Sequence, residues 1–280
     1  MGKTILVTGA TGTIGRDLAK ILSGNGMPVR AGVRDQAKAR KQFGADVVLT
    51  TFDFEDAASF PDALKDAEKV FLLPPLMPNQ VEVVNAFIDG AKRAGIRHIV
   101  KLSVIGAETD PPYTFGKWHA ASDRHVRGAS LAFTFLRPNS FMQNFINYFP
   151  PRDGVIYLPW GNGKASFVDT RDIAAVAAEA LTSDGHEGKT YTLTGPAALG
   201  IAEVASILSE VAGREIKYVD VPESAAHDGM LQAGLPRWQV EALMELHAAN
   251  KQNRWSAVTS DIEEVTGAPA TTFAQFCRGN

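Results

Sequence analysis

Gly9, Gly12 and Gly15 stand at three-residue intervals in the stretch Lys3 to Ile21, KTILVTGATGTIGRDLAKI. They follow the apolar run Ile5-Leu6-Val7, which reads as a buried parallel strand, and precede an apolar pattern at helical spacing from Ile14 and Leu18. A strand, a glycine turn and a helix in that order can hold a diphosphate. The first glycine turns the chain sharply, the second admits a pyrophosphate to the backbone, and the third lets helix pack on strand. Free N–H groups and the positive end of the helix dipole then face the phosphates. Gly9, Thr11, Gly12, Thr13, Ile14 and Gly15 are the candidate loop. An ordinary glycine-containing turn is the plain alternative, and position, strand, spacing and helix together weigh against it.

Tyr113-Thr114-Phe115-Gly116-Lys117 could do acid–base work. A lysine four residues beyond a tyrosine can lower the phenol's pKa until it exchanges a proton with an alcohol or ketone. The competing reading is an exposed loop end after Asp110-Pro111-Pro112. Ser103, ending a predicted strand, is a further hydroxyl candidate for such work, and would also be unremarkable as a strand-terminal residue.

The elements that must position these groups alternate. Strands are expected at Met27 to Arg34, Val47 to Leu49, Lys69 to Leu73, Ile96 to Ser103 and Ala132 to Leu136. Helices are expected at Asp35 to Phe43, Ala57 to Leu64, Asn79 to Ala94 (closed by Gly95) and Gly116 to Gly128. This is the pattern of an α/β, Rossmann-like, doubly wound parallel sheet. From Asn139 the rhythm changes, with Phe141, Phe145, Tyr148, Phe149, Tyr157 and Trp160 crowded around Pro150 and Pro151. Such a stretch lines a pocket or forms an aromatic satellite core. Beyond it come a helix from Val168-Asp169-Thr170-Arg171-Asp172 to Leu181, with Thr170 the candidate N-cap, a strand Lys189 to Leu193, a helix Ile201 to Ala212, a strand Glu215 to Val221, and helices Glu223 to Ala233 and Pro236 to Asn250. Residues 1–150, completed by part of 165–195, are expected to form the dinucleotide-binding domain. Residues 151–280 mostly form a smaller α/β substrate lobe.

In this fold the end of strand two faces the adenosine ribose, where an acidic residue would hold the 2′-OH of NAD and an arginine the 2′-phosphate of NADP. Arg34 occupies that place and Lys38 follows about one helical turn later. NADP is therefore expected over NAD, with Asp35 either on a ribose hydroxyl or starting the next helix. Asp53 and Phe54 after strand three are candidate adenine contacts, and Leu73 and Pro74 would pass the second ribose.

The 280-residue chain has a net charge of −3, 21% charged and 45% hydrophobic residues, and one cysteine, Cys277. That gives no electrostatic footprint for nucleic acid or an anionic membrane, and no disulfide framework or cysteine-rich metal site. No apolar run approaches about 20 residues, and the first strand begins too early for a signal peptide. A cytoplasmic protein with a small-molecule substrate, no metal, and a monomeric or homodimeric state is expected.

With these residues in view, the sequence resembles the NmrA-like group of atypical short-chain dehydrogenases/reductases, and within it the bacterial NADPH-dependent quinone reductases and triphenylmethane dye reductases. The resemblance rests on Val7 to Gly15, Arg34, Phe52-Asp53, Thr134-Phe135-Leu136-Arg137-Pro138-Asn139 with Phe141-Met142-Gln143-Asn144, Val168 to Ala174, and Gly188 to Pro196. It implies a Rossmann domain that binds NADP, contacts from Pro138 and Asn139, and a smaller substrate lobe. Counting back from Thr134 to Arg137, it also implies a key basic residue at His119 with an acidic partner at Asp123. In that register Phe115 replaces the tyrosine. Two residues along a helix is about 200° of rotation, so Lys117 and His119 cannot both face the cofactor; His119 is preferred.

A site without a phenol suits acceptors whose reduced form is a resonance-stabilised anion, because these need no strong general acid. Hydride transfer from NADPH to a quinone-like or conjugated aromatic acceptor is the resulting expectation, with the cofactor doing the hard chemistry in a dry pocket. Candidate walls are Phe141, Met142, Phe145, Trp160, Met230 and Trp238, each of which could instead be core. The alternatives are a non-catalytic NADP(H)-binding redox sensor that regulates a partner protein, and a nucleotide-sugar epimerase that would need Tyr113.

Overall fold

The computed structural model describes residues 4–45, 47–108 and 111–279, so Lys3 of the glycine stretch and Asp110 of the proline turn lie outside the described residues. The chain divides into two compact units. The first comprises Met1–Thr109, Trp118–Arg137 and Ile173–Tyr191, and the second Asp110–Lys117, Pro138–Asp172 and Thr192–Asn280. The second unit takes up the chain at Pro138, and the first regains it over Ile173–Tyr191.

The elements in chain order are β1 (Thr4–Val7), α1 (Thr13–Gly24), β2 (Val29–Val33), α2 (Gln36–Phe43), β3 (Val48–Thr51), a 3-10 turn (Ala57–Ser59), α3 (Phe60–Leu64), β4 (Ala67–Leu72), α4 (Gln80–Arg93), β5 (His98–Leu102), α5 (Thr114–Gly128) and β6 (Ala132–Pro138). They continue with α6 (Asn144–Asn147), β7 (Val155–Leu158), β8 (Lys164–Ala165), α7 (Thr170–Thr182), β9 (Thr190–Leu193), β10 (Leu199–Gly200), α8 (Ile201–Ala212), β11 (Lys217–Asp220), α9 (Glu223–Gln232), α10 (Arg237–Lys251), α11 (Asp261–Thr266) and α12 (Phe273–Arg278). Seven strands form one sheet in the order β3-β2-β1-β4-β5-β6-β9, and the β1–β2, β1–β4, β2–β3, β4–β5 and β5–β6 pairs are parallel. Strand order reverses between β1 and β4, where ligands bind in such sheets. Thr8 ties the two strand ends together there: its buried hydroxyl donates to the Phe71 carbonyl (3.1 Å) and accepts from the Leu73 N–H (2.9 Å).

Parallel strands need apolar cover on both faces. On one side α3, α4 and α5 supply it, and an aromatic cluster forms where Phe87 meets Phe52, Phe54 and Phe60 edge-on at centroid distances of 5.3, 5.6 and 5.3 Å. Such pairs add about 0.5–1.5 kcal/mol each to the burial of the rings. Phe54 is therefore a core residue, and the expectation that it lies beside adenine is corrected.

The second unit is built from short strands, with β7 parallel to β11 and β8 antiparallel to β10. Its centre is aromatic. Trp160 stacks on Phe167 (5.8 Å), and Phe145 meets Phe167 and Phe273 edge-on at 5.1 and 5.3 Å. Buried Asp169 accepts from Gln143 Nε2 (2.8 Å), the Arg171 N–H (2.9 Å) and the Arg171 guanidinium (2.6 Å). Asp169 thus caps α7, and Thr170, the expected cap, is its first residue. Asp172 accepts from both the N–H and the hydroxyl of Thr271 at 2.8 Å, which fastens the chain ahead of α12.

Two buried histidines are held neutral. His98 Nε2 lies 2.9 Å from Thr134 Oγ1, whose own proton goes to the His186 carbonyl (2.6 Å), so Nε2 carries the hydrogen. Burial, with the Lys69 charge adding to it, lowers the His98 pKa to about 4. Burial does the same to His247, whose Nδ1 accepts from Trp160 Nε1 at 2.7 Å. An unfolded histidine binds a proton below about pH 6.5, and these folded ones do so only near 4. The unfolded chain therefore holds more protons in that window, and stability falls on acidification by at most about 1.4 kcal/mol per pH unit for each group. Denaturation by urea between pH 7 and 5 should show this slope, and the slope should be shallower in His98→Gln.

Candidate functional site

The glycine loop follows β1 at the reversal of strand order. Gly9 has φ +60°, a conformation that favours glycine, and its carbonyl accepts from the Gly12 N–H (3.0 Å). A Cβ on Gly15 would lie 2.3 Å from the Gly9 oxygen and 2.9 Å from Ala10 Cα. The third glycine thus lets the first turn of α1 rest on the backbone leaving β1. α1 has no side-chain N-cap and no acidic residue in its first turn, and Thr11 and Gly12 are exposed. Ile14 is buried and Thr13 half-buried. Uncapped N–H groups and an unneutralised dipole end fit a diphosphate.

Arg34 and Lys38 are exposed just beyond β2. The Asp35 carboxylate accepts from the Lys38 N–H at 2.9 Å, so Asp35 starts α2 as its cap and is the helix former of its two sequence readings. Asp53 is half-buried and its carboxylate accepts from the Glu55 N–H (3.1 Å). Leu73 is half-buried beside Gly9, and Pro74 is buried.

At the carboxyl end of β5 lies a group that sequence reasoning only half found. Lys101 is fully buried, and its Nζ donates to Asp123 Oδ1 on α5 at 2.8 Å. Ser103 donates to Asp123 Oδ2 at 2.7 Å. Arg137, buried at the end of β6, sits 3.4 Å from Asp123 Oδ2 and 3.0 Å from the half-exposed Glu108. His119, one turn before Asp123 on α5, places Nδ1 3.4 Å from Lys101 Nζ. Burial alone would push the Asp123 carboxyl up, but the Lys101 charge and the hydrogen bonds from Lys101 and Ser103 bring it below its usual range. Burial lowers the Lys101 pKa, opposed by Asp123 and reinforced by Arg137. Burial and the Lys101 charge hold His119 at about 3, against the Asp123 charge and a hydrogen bond from the ring to the Leu102 carbonyl, so its ring is neutral at physiological pH.

The tyrosine–lysine pair does not assemble. Tyr113 is buried edge-on against Trp255 (5.4 Å), in the second unit's interior, while Lys117 is exposed. The proton-exchange role expected of Tyr113 with Lys117 is corrected accordingly. Pro138 and Asn139 are buried too. The Asn139 amide is spent on Ser166 Oγ and the Trp255 carbonyl (both 2.7 Å) and on the Ser140 N–H (2.7 Å). Met142, Phe145 and Trp160 are core, 1%, 4% and 3% exposed. Of the expected pocket walls, Phe141, Met230 and Trp238 keep partial exposure.

A model of the NmrA-like family matches residues 1–275. The chain belongs to the NmrA-like family. It is 41% identical over 278 residues to an NAD(P)H azoreductase from Xenophilus azovorans, covering 99% of this chain and 97% of that one. The fold of this NmrA-like chain is also that of an NADPH-dependent quinone oxidoreductase from Escherichia coli in complex with NADPH (TM-score 0.88, 25% identity, 98% and 99% coverage). A Citrobacter triphenylmethane reductase complexed with NADP(H) is similar as well (TM-score 0.86, 25% identity, 99% of both chains).

Lys101, Arg137 and Glu108 were not singled out as site residues from the sequence. The available signal was a lysine inside His98-Ile99-Val100-Lys101-Leu102, since a charge within a strand buried on both faces demands a buried counter-charge. Two alanine substitutions separate the loop's structural and binding roles. Gly15→Ala forces backbone apart and should lower stability by about 1–3 kcal/mol, read as a lower thermal midpoint. Gly12→Ala meets only one oxygen at 3.3 Å. It should leave the midpoint nearly unchanged while weakening dinucleotide binding in a fluorescence titration.

Proposed function

We propose that this protein is an NADPH-dependent oxidoreductase that reduces quinone-like, azo or other conjugated aromatic acceptors. The observation that carries the reading is His119 Nδ1 3.4 Å from the ammonium of the buried Lys101–Asp123 pair, at the carboxyl edge of the sheet, in a chain whose one YxxxK tyrosine has its ring packed on Trp255. β5 is two strands from β1 in the sheet, about 10 Å at ordinary strand spacing, so His119 and the glycine loop share one edge. Full-length similarity to an azoreductase and likeness to a quinone oxidoreductase support the acceptor class.

The glycine loop and the N-terminus of α1 would hold the diphosphate, Arg34 and Lys38 the 2′-phosphate, and Asp53 the adenosine side. The bound cofactor supplies the hydride. The chain's own residues manage the charge that results. Lys101 and Arg137 are two buried cations against one buried carboxylate, with Glu108 partly in water. That surplus favours negative charge developing on an acceptor oxygen or nitrogen, and it is fixed before reaction begins. A phenolate or a conjugated amide anion then needs only a modest proton donor. We read the protein as a small-molecule enzyme of the cytoplasm, monomeric or homodimeric, without a nucleic-acid role. Its net charge of −3 supports the lack of a nucleic-acid role, and among the described residues no helix is long and apolar enough to cross a membrane.

Mixing the protein with NADPH and a panel of quinones, azo dyes and triphenylmethane dyes should give loss of nicotinamide absorbance. Dinucleotide binding that discriminates oxidised from reduced cofactor, without turnover of any acceptor, would instead identify a redox sensor. Arg34→Ala should raise the KM for NADPH at least about tenfold, the loss of one charge-assisted phosphate contact, and change that for NADH little. Equal effects on both would remove the 2′-phosphate assignment.

A further inference from the structure

The Lys101 ammonium has three N–H donors and three acceptors around it: Asp123 Oδ1 at 2.8 Å, the Leu102 carbonyl at 3.4 Å and His119 Nδ1 at 3.4 Å. An N–H on Nδ1 would oppose the ammonium, whereas a lone pair there completes its set. The hydrogen of the neutral His119 ring then sits on Nε2.

We propose that Lys101 fixes His119 as the Nε2–H tautomer and stands behind it as the proton source for the reduced acceptor. The inference rests on the reductase reading. A neutral imidazole is a poor acid by itself, because giving up its only N–H leaves an imidazolate. With an ammonium hydrogen-bonded to Nδ1 that anion never forms. Once the acceptor has gained the hydride, it carries a lone pair on oxygen or nitrogen. The Nε2–H bond breaks as the new O–H or N–H bond forms, and a Lys101 N–H bond breaks as Nδ1–H forms. The acceptor ends with one hydride and one proton, Lys101 as a neutral amine and His119 as the other neutral tautomer. Protonation of Nε2 from water then returns the Nδ1 proton to Lys101 and restores the starting state. Burial and Arg137 make Lys101 readier to yield a proton than a solvated lysine, and Asp123 holds it in place through the cycle.

Lys101 is thus a positioning residue, and its test needs a readout that a purely structural role would not move. Nitrogen-15 spectra of the histidine rings in the full-length protein at neutral pH report the tautomer directly, with the His119 signal identified by its loss in His119→Gln. Nε2–H with unprotonated Nδ1 is expected; Nδ1–H would overturn the proposal. In Lys101→Met with Asp123→Asn, which removes both buried charges together, the His119 signal should move toward the other tautomer. The kcat should fall about a hundredfold, the usual worth of a positioned acid, with the KM for NADPH within about twofold. A folded double variant that keeps the wild-type kcat would overturn the relay. If the double variant does not fold, the wild-type spectrum decides. Should wild type turn over no acceptor while showing Nε2–H, the reductase reading and its relay fail and only the Lys101–His119 coupling stands.

Discussion

The ion pair between Lys101 and Asp123 is the constraint around which the first unit's site is arranged. Both groups are out of water, one on a central strand and one on the helix that covers it. Removing two charges from solvent costs several kcal/mol each, and the attraction between them offsets that only with good geometry and further hydrogen bonds. Ser103 and Arg137 supply those further bonds to the same carboxylate. An apolar pair of similar volume would stabilise the fold as well or better. What the pair provides is location: it holds a strand-end hydroxyl, a guanidinium and, through the ammonium, an imidazole at one edge of the sheet.

The other half of the first unit's chemistry is set by backbone. The reversal of strand order between β1 and β4 opens the carboxyl edge, Thr8 keeps the two strand ends in register, and the Gly9–Gly15 contact presents the start of α1 without a cap of its own. In the second unit, the motif residues Gln143, Asp169, Arg171 and Asp172 are engaged in fastening loops and the C-terminal segment. These motif residues therefore carry the fold rather than the reaction.

Much of this was legible because the relevant signals are local. The glycine spacing, the alternation of strands and helices and the helix over Ile201 to Ala212 all follow from short-range pattern, and the structure reproduces them. The failures share a cause. Phe54, Met142, Phe145 and Trp160 have the chemical type of ligand-facing residues and equally of core, and the core reading holds because each packs or bonds to residues distant in sequence. Tyr113 and Lys117 have the spacing of an acid–base pair, but Trp255, more than a hundred positions away, decides where the ring goes. His119 and Asp123 were found through family register. Lys101 was missed because its partner lies on another element, although a charge inside an apolar strand already required one.

The exposure of Arg34 and Lys38 has a consequence for how such a protein diversifies. Exposed residues usually change at a cost within about 0.5 kcal/mol, whereas removing one partner of a buried ion pair costs about 3–5 kcal/mol. The residues that would choose between nicotinamide cofactors stand in the first class, and Lys101, Asp123 and Arg137 in the second. Cofactor preference can therefore drift from lineage to lineage one substitution at a time, while the proton-handling centre can change only through several coordinated replacements. Descendants of one ancestor would be expected to differ first in which dinucleotide they use and last in how they protonate what they reduce.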